Sequence, residues 1–343
     1  MDIVVAYDSA LAYWRTVGPR WLRGYQQRDQ ATRRARRSLA KGDRPKLAGG
    51  NRRPAGCTLP IQVLVAGVEA RTRTSSVLSH VWPDLPDRSL VDAGEGFFVS
   101  TPEFCFVQMA SQLKIAQLVQ LGFELCGTYA MVSEGPAQQR EAPLTSAAKL
   151  SAFVKANPHI RGCKQARRAL NHVKDGAASP MEAVLAMLLC LPYRRGGYGL
   201  EWPMLNYRID VPPSKRKMAD RGYCKGDLCW PERHLCLEYD SELYHADAER
   251  RDSDARRRGT LIALDYTVVT VTTGQVMDSG AFNRLAHQIA KLLGKRLRYE
   301  DPQFTRSHLA LREELFAALG MARASQQGRS PEMGSDSVEP DAN

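Results

Sequence analysis

The chain has 343 residues, with 48 lysines and arginines against 37 aspartates and glutamates, a net charge of +11, and 43% apolar residues. A near-average apolar fraction excludes a wholly disordered chain, and the composition excludes a collagen-like or disulfide-scaffold protein. The length predicts about two domains at roughly 150 residues each.

No apolar run approaches the ~18–20 residues that cross a bilayer. The longest, Met181 to Pro192, contains Glu182, and the start carries no basic leader. The expectation is a cytoplasmic protein with no membrane partner. Eight cysteines are scattered without a CxxC pair. They read as reduced, buried thiols. A zinc site on Cys224, Cys229 and Cys236 is the alternative, although their spacing fits none of the usual patterns.

In chain order, residues 11–41 predict one or two helices, since Trp14, Trp21, Leu22 and Tyr25 recur at helical spacing. Residues 15–53 are strongly basic. Their arginines, Arg33, Arg34, Arg36 and Arg37, form either a solvated face or a phosphate-contacting surface. Short strand-like runs follow at 61–68, 77–82 and 96–99, separated by turn residues. Ser100-Thr101-Pro102-Glu103 marks a helix start, with capping hydroxyls, a proline suited to the first turn and an acid at the positive end. The expected organisation is a basic N-terminal helical arm (1–54), a small α+β domain (55–135), a linker with helices (136–175), a larger α/β domain (176–320) and a disordered tail (321–343). The tail is small, polar and acidic, with few apolar residues to bury.

From Ala177 the order is α-β-β-β-α-β-α. Helix 180–192 comes first, then strands 205–210, 223–230 and 234–240, a charged helix 247–264, strand 266–272 and helix 282–293. Hairpin strands followed by a helical crossover predict a mixed sheet flanked by helices.

The informative stretch is YCKGDLCWPERHLCLEYDSELYH, residues 223–245. A four-residue loop, Pro231 to His234, pairs Trp230 with Leu235. Counting outward sets Cys229 opposite Cys236, Leu228 opposite Leu237, Asp227 opposite Glu238 and Lys225 opposite Asp240. Side chains alternate along a strand. Leu228, Trp230, Leu235, Leu237 and Tyr239 therefore share an apolar face, and Asp227, Glu238 and Asp240 share the other. Opposed carboxylates repel unless a cation lies between them, and Mg²⁺ takes such oxygen ligands.

The pattern D-x-x-W-P-x-x-x-L-x-x-E-Y-D-x-x-x-x-H, followed by R-x-x-D-x-x-R and a strand, resembles endonuclease-like proteins related to very-short-patch mismatch-repair endonucleases. These belong to the PD-(D/E)XK restriction-endonuclease-like superfamily. The resemblance covers residues 175–295. It implies a restriction-endonuclease-like α/β fold and a metal-dependent endonuclease using Mg²⁺ or Mn²⁺ on nucleic acid, DNA foremost. It assigns Asp227 and Glu238 to the metal, with Glu182 and Asp240 as further ligands and Asp254 as the helix aspartate. His245 matches the histidine that follows the strand. Asp240 stands where many members have lysine, and His245 or Lys225 is the expected substitute. Arg250, Arg251 and Arg257 would grip the backbone together with the N-terminal arginines. Residues 55–135 are similar to the middle region of abortive-infection antitoxins. The alternative is therefore an antitoxin-like nucleic-acid-binding regulator whose nuclease fold is catalytically degenerate.

Overall fold

The computed structural model of the chain describes residues 2–22, 24–47, 52–132, 135–219, 221–240 and 248–321, with the side chains of 21, 25 and 248–255 outside the description. The expected tail, beyond Met321, lies outside the described residues.

The N-terminal half comprises β1 (Ile3–Val5), α1 (Tyr7–Val17), α2 (Tyr25–Leu39), β2 (Ile61–Val65), β3 (Val77–Val81), β4 (Leu90–Gly94), β5 (Phe97–Ser100), α3 (Pro102–Met109) and α4 (Ile115–Cys126). Its sheet runs β3-β2-β1-β5-β4. β1 is parallel to β5, and β2 to β3; the other pairs are antiparallel. The three residues of β1 are all buried, in a β-branched run that suits a central strand. Trp14 of α1 is buried, and its indole N–H donates to the Ser100 carbonyl at 2.7 Å.

This arrangement corrects the expected division at residue 54. The first residues supply the middle strand of the sheet, so the basic segment is no separate arm. α2 lies along β4 with Ala31, Thr32 and Ala35 buried. Thr101 caps α3 as the Ser-Thr-Pro-Glu pattern implies, its hydroxyl accepting from Phe104 N–H at 3.4 Å.

The next stretch, expected as linker and helices, folds back on this half. β6 (Tyr129–Ala130) pairs with β7 (Gln138–Gln139), and α5 (Ala147–Ala156) and α6 (Cys163–Leu170) pack on α3 and α4.

Then come α7 (Pro180–Cys190), β8 (Met204–Asp210), β9 (Tyr223–Trp230), β10 (Leu235–Asp240), α8 (Ala248–Ala263), β11 (Thr267–Thr272), α9 (Thr273–Met277), α10 (Ser279–Leu292) and α11 (Gln303–Ala317). The second sheet is β11-β10-β9-β8. β8, β9 and β10 are antiparallel neighbours, while β11 returns parallel to β10 after the α8 crossover. The chain is thus mixed α/β, and its C-terminal mixed sheet is flanked by helices.

Every α7 residue from Glu182 to Cys190 is buried. A helix apolar on all sides belongs in an interior, and α7 contacts β9 on one side and α4 and α11 on others. Leu228, Trp230, Leu235 and Leu237 share the large core with α7, which confirms the apolar face read from the hairpin. The opposite face holds a smaller cluster of Ile209, Val211, Cys224, Cys229, Cys236, Leu261 and Leu264 beneath α8.

Cys229 and Cys236 are joined by a disulfide, which corrects the expectation that all eight cysteines are thiols. The reason is their register. The two residues oppose each other with Cα atoms 4.2 Å apart, close enough for a cross-strand bridge. Their union also removes the expected alternative of a three-cysteine zinc site with Cys224. Among the described residues, no helix is long and apolar enough to cross a membrane.

Candidate functional site

The β9–β10 ladder pairs Trp230 with Leu235, Cys229 with Cys236 and Leu228 with Leu237. There the backbone ladder stops, and side chains take over at the next rung. Tyr239 N–H donates to Asp227 Oδ2 at 2.8 Å, and Asp227 N–H to Glu238 Oε1 at 3.4 Å. The expected pairing of Asp227 with Glu238 is not a rung of the ladder; Asp227 meets Glu238 and its neighbour Tyr239 through these side-chain bonds instead.

Regularity fails on both sides of Asp227. A Cβ on Gly226 would lie 2.3 Å from Cys229 Sγ, although strict alternation puts residues three apart on opposite faces. On β8, pairing skips from Leu205–Leu228 to Tyr207–Gly226. The skipped residue, Asn206, has φ +46°, a left-handed conformation that asparagine tolerates better than most residues. Its side-chain amide turns aside to the Gly176 carbonyl (3.0 Å) and to Glu182 Oε2 (2.5 Å). Asn206, Asp227 and Glu238 thus mark a polar rung on three adjacent strands; side-chain bonds join Asp227 to β10, while Asn206 turns to Gly176 and Glu182.

Glu182 joins the rung from the first turn of α7. Ser179 caps that turn, accepting from Glu182 N–H at 3.2 Å, and Glu182 Oε2 also accepts from Ala178 N–H at 2.9 Å. Burial, and next the Asp227 charge, push the Glu182 carboxyl up to about 7, against these hydrogen bonds. Glu238 is only 4% exposed. Its carboxyl is also pushed up, first by burial and then by Asp227, while Arg257 opposes the rise. That guanidinium, Nη2, lies 2.7 Å from Glu238 Oε2. Asp227 therefore acts on two acids at once, Glu182 on the α7 side and Glu238 on the α8 side.

The donor chemistry suits a hard divalent cation, because these are carboxylate oxygens under mutual repulsion. Among the described residues, no three histidine, cysteine or acidic side chains are already gathered at metal-holding spacing. Asp227 and Glu238 could hold the ion, with Glu182 across the rung.

Beside the rung, a cleft of about 480 Å³ opens between β9 and α8. It is lined by Arg221, Tyr223, Lys225, Arg256 and Arg257, with Cys224 and Thr260. Among the described residues its lining carries four cationic side chains, one of them, Arg257, already paired with Glu238; such a basic concave surface attracts anions. Arg208 lies over the Tyr223 ring, 4.0 Å from its centroid, at the same edge of the sheet.

Other expectations fare differently. Asp240 is exposed at the end of β10, and Lys225 is not opposite it; the ladder has ended, and Lys225 pairs in register with Arg208 on β8 and lines the cleft. No ion pair joins Lys225 to Asp240. His245 lies outside the described residues, as do the side chains of Arg250, Arg251 and Asp254.

Three of the four α2 arginines expected to hold phosphates have acidic partners within the chain. Arg33 pairs with Asp29 at 3.0 Å, Arg34 with Asp92 at 2.8 Å and Arg36 with Asp87 at 2.7 Å. Arg36 also bonds the Leu85 carbonyl. Arg34 therefore fastens α2 to β4 and Arg36 fastens it to the loop that precedes β4, while Arg37 stays exposed. Asn206 was not anticipated. An asparagine inside a strand, a residue depleted there, was the available signal. Arg257 was expected on backbone phosphates, and its bond to Glu238 was not foreseen.

Comparisons with family models, with curated proteins and with solved structures returned no match for this chain.

Proposed function

We propose that the chain is a metal-dependent endonuclease that hydrolyses phosphodiester bonds, with DNA as its substrate in the cytoplasm. The observation that carries this reading is the polar rung. Asp227 and Glu238 interlock across β9 and β10, Glu182 lies beside them, and a cationic cleft adjoins. The α-β-β-β-α-β order around the rung supports it, in line with the resemblance to the very-short-patch repair endonucleases.

Asp227 and Glu238 would hold Mg²⁺ or Mn²⁺, with Glu182 completing the set directly or through water. Such an ion, when bound, acidifies a water molecule and neutralises charge on the phosphate. The protein's part is positioning. Arg221, Lys225 and Arg256 hold the polyanionic strand, with an affinity that falls steeply with salt. Asn206 and the α7 cap fix the Glu182 carboxylate.

A second reading is favoured by one specific observation. Position 240 is an acid where the resemblance has lysine, and Arg257 already neutralises Glu238. This favours an antitoxin-like nucleic-acid-binding regulator with a degenerate nuclease fold.

The test incubates plasmid DNA, single-stranded DNA and RNA with the full chain and Mg²⁺ or Mn²⁺, with Asp227→Ala as control. Cleavage by the wild type alone supports the enzyme. Salt-sensitive binding without cleavage supports the regulator, and cleavage confined to RNA moves the substrate class.

A further inference from the structure

We infer that Arg257 supplies the positive charge that position 240 lacks, exchanging Glu238 for the phosphate in the cleft when a divalent cation takes that carboxylate. The inference rests on the metal-dependent reading above and names a residue for its missing part.

Three observations carry it. Asp240 is exposed and negative, and Lys225, the nearest expected substitute on β9, forms no ion pair with it. Arg257 reaches the buried Glu238 from α8, Nη2 to Oε2 at 2.7 Å. The same arginine lines the basic cleft with Arg221, Lys225 and Arg256, its side chain 38% exposed against 5% for that of Glu238. It thus lies between the carboxylate and the space a phosphate would enter.

A guanidinium has five N–H donors in a planar fork, so it can serve a carboxylate or a phosphate oxygen with equal geometry. It also stays charged at every working pH, which a histidine does not. A cation and Arg257 compete for the same Glu238 oxygen, whereas phosphate and cation do not.

The competition predicts effects of opposite sign. Arg257→Gln removes the competitor, so metal binds more tightly. It also removes the charge beside the phosphate, so cleavage slows. An arginine that merely supports the fold would weaken both.

The experiment titrates Mn²⁺ alone into the metal-free full chain by calorimetry, and separately measures plasmid cleavage. Arg257→Gln is expected to bind Mn²⁺ about tenfold more tightly and to lose about a hundredfold in kcat with little change in KM. Arg257→Lys keeps a positive charge and is expected to hold Mn²⁺ affinity near wild type while recovering part of kcat. Arg221→Gln, in the same cleft but without the Glu238 bond, is expected to shift Mn²⁺ affinity by less than about twofold, the size of a screened distant charge.

A folded Arg257→Gln chain with unchanged or weaker Mn²⁺ affinity overturns the inference, and so does wild-type kcat in that chain. If Arg257→Gln melts early, Arg257→Lys decides, and loss of Mn²⁺ affinity there overturns it. A wild-type chain that cuts no nucleic acid removes the endonuclease reading and the charge-supplying role together. The Mn²⁺ titration then still shows whether arginine and cation compete.

Discussion

Glu182→Gln in metal-free buffer should make the protein more stable at alkaline pH and leave it nearly unchanged at pH 4.5. The carboxyl is 7% exposed and pushed from an ordinary 4.5 up to about 7, first by burial and then by Asp227. In the unfolded chain it releases its proton near 4.5; in the folded chain it keeps it until about 7. Between those values the folded state binds more protons, so stability falls as pH rises. The favourable contribution is complete below 4.5 and is gone above about 7. A tenfold change in proton affinity is about 1.4 kcal/mol, so the full swing is about 3 kcal/mol. Glutamine is nearly the same shape, and its carbonyl can accept the bonds from Ala178 and Asn206 that now reach Oε2. It carries no charge to repel Asp227. Urea unfolding with EDTA, at pH 4.5 and pH 8.5, should show the variant gaining about 3 kcal/mol on wild type between the two conditions. Parallel stability curves would refute the reasoning, because the Glu182 charge would then meet no burial penalty in the folded chain.

Other outcomes follow from the same geometry. Gly226→Ala sets a methyl 2.3 Å from Cys229 Sγ and 2.8 Å from Cys236 Sγ; a bridged pair cannot swing away, so the cost in urea unfolding should be about 1–3 kcal/mol. Leu228→Ala, fully buried between sheet and α7, should lose about 2–5 kcal/mol in the same assay. Alkylation after denaturation without reductant should label six cysteines, Cys57, Cys105, Cys126, Cys163, Cys190 and Cys224, and eight after reduction; eight in both would contradict the bridge. Lys225→Ala should lower DNA affinity and reduce the salt slope by about 1. Arg36→Ala should lower the melting temperature and leave that slope unchanged, since its charge is already matched by Asp87.

The hairpin was legible because its signal is local. Leucines and tryptophan alternate on one face, and the Pro231–His234 turn sets the count, so the pairings from Trp230–Leu235 to Leu228–Leu237 follow from sequence. The start of α3 was legible for a similar reason: Thr101 caps it from its own side chain. What escaped depends on distant partners. β1 has only three residues, too few for a period, and is a strand because β2 and β5 flank it. Arg34 and Arg36 read as free charge because their acids on 84–92 lie far along the chain. Lys225 was misplaced because counting assumed a regular pleat, and the pleat slips at Asp227 beside a left-handed Asn206. The slip itself spoils the alternation that would predict it.

The burial of α7 has a practical consequence. Its apolar surface is divided between β9 in the second sheet and α4 and α11 outside it. A fragment cut at residue 175 would bare the side that α4 covers, inviting aggregation rather than yielding a working module. The two halves should melt in one transition, and changes near α4 should be felt at Glu182, which rides on the same rod.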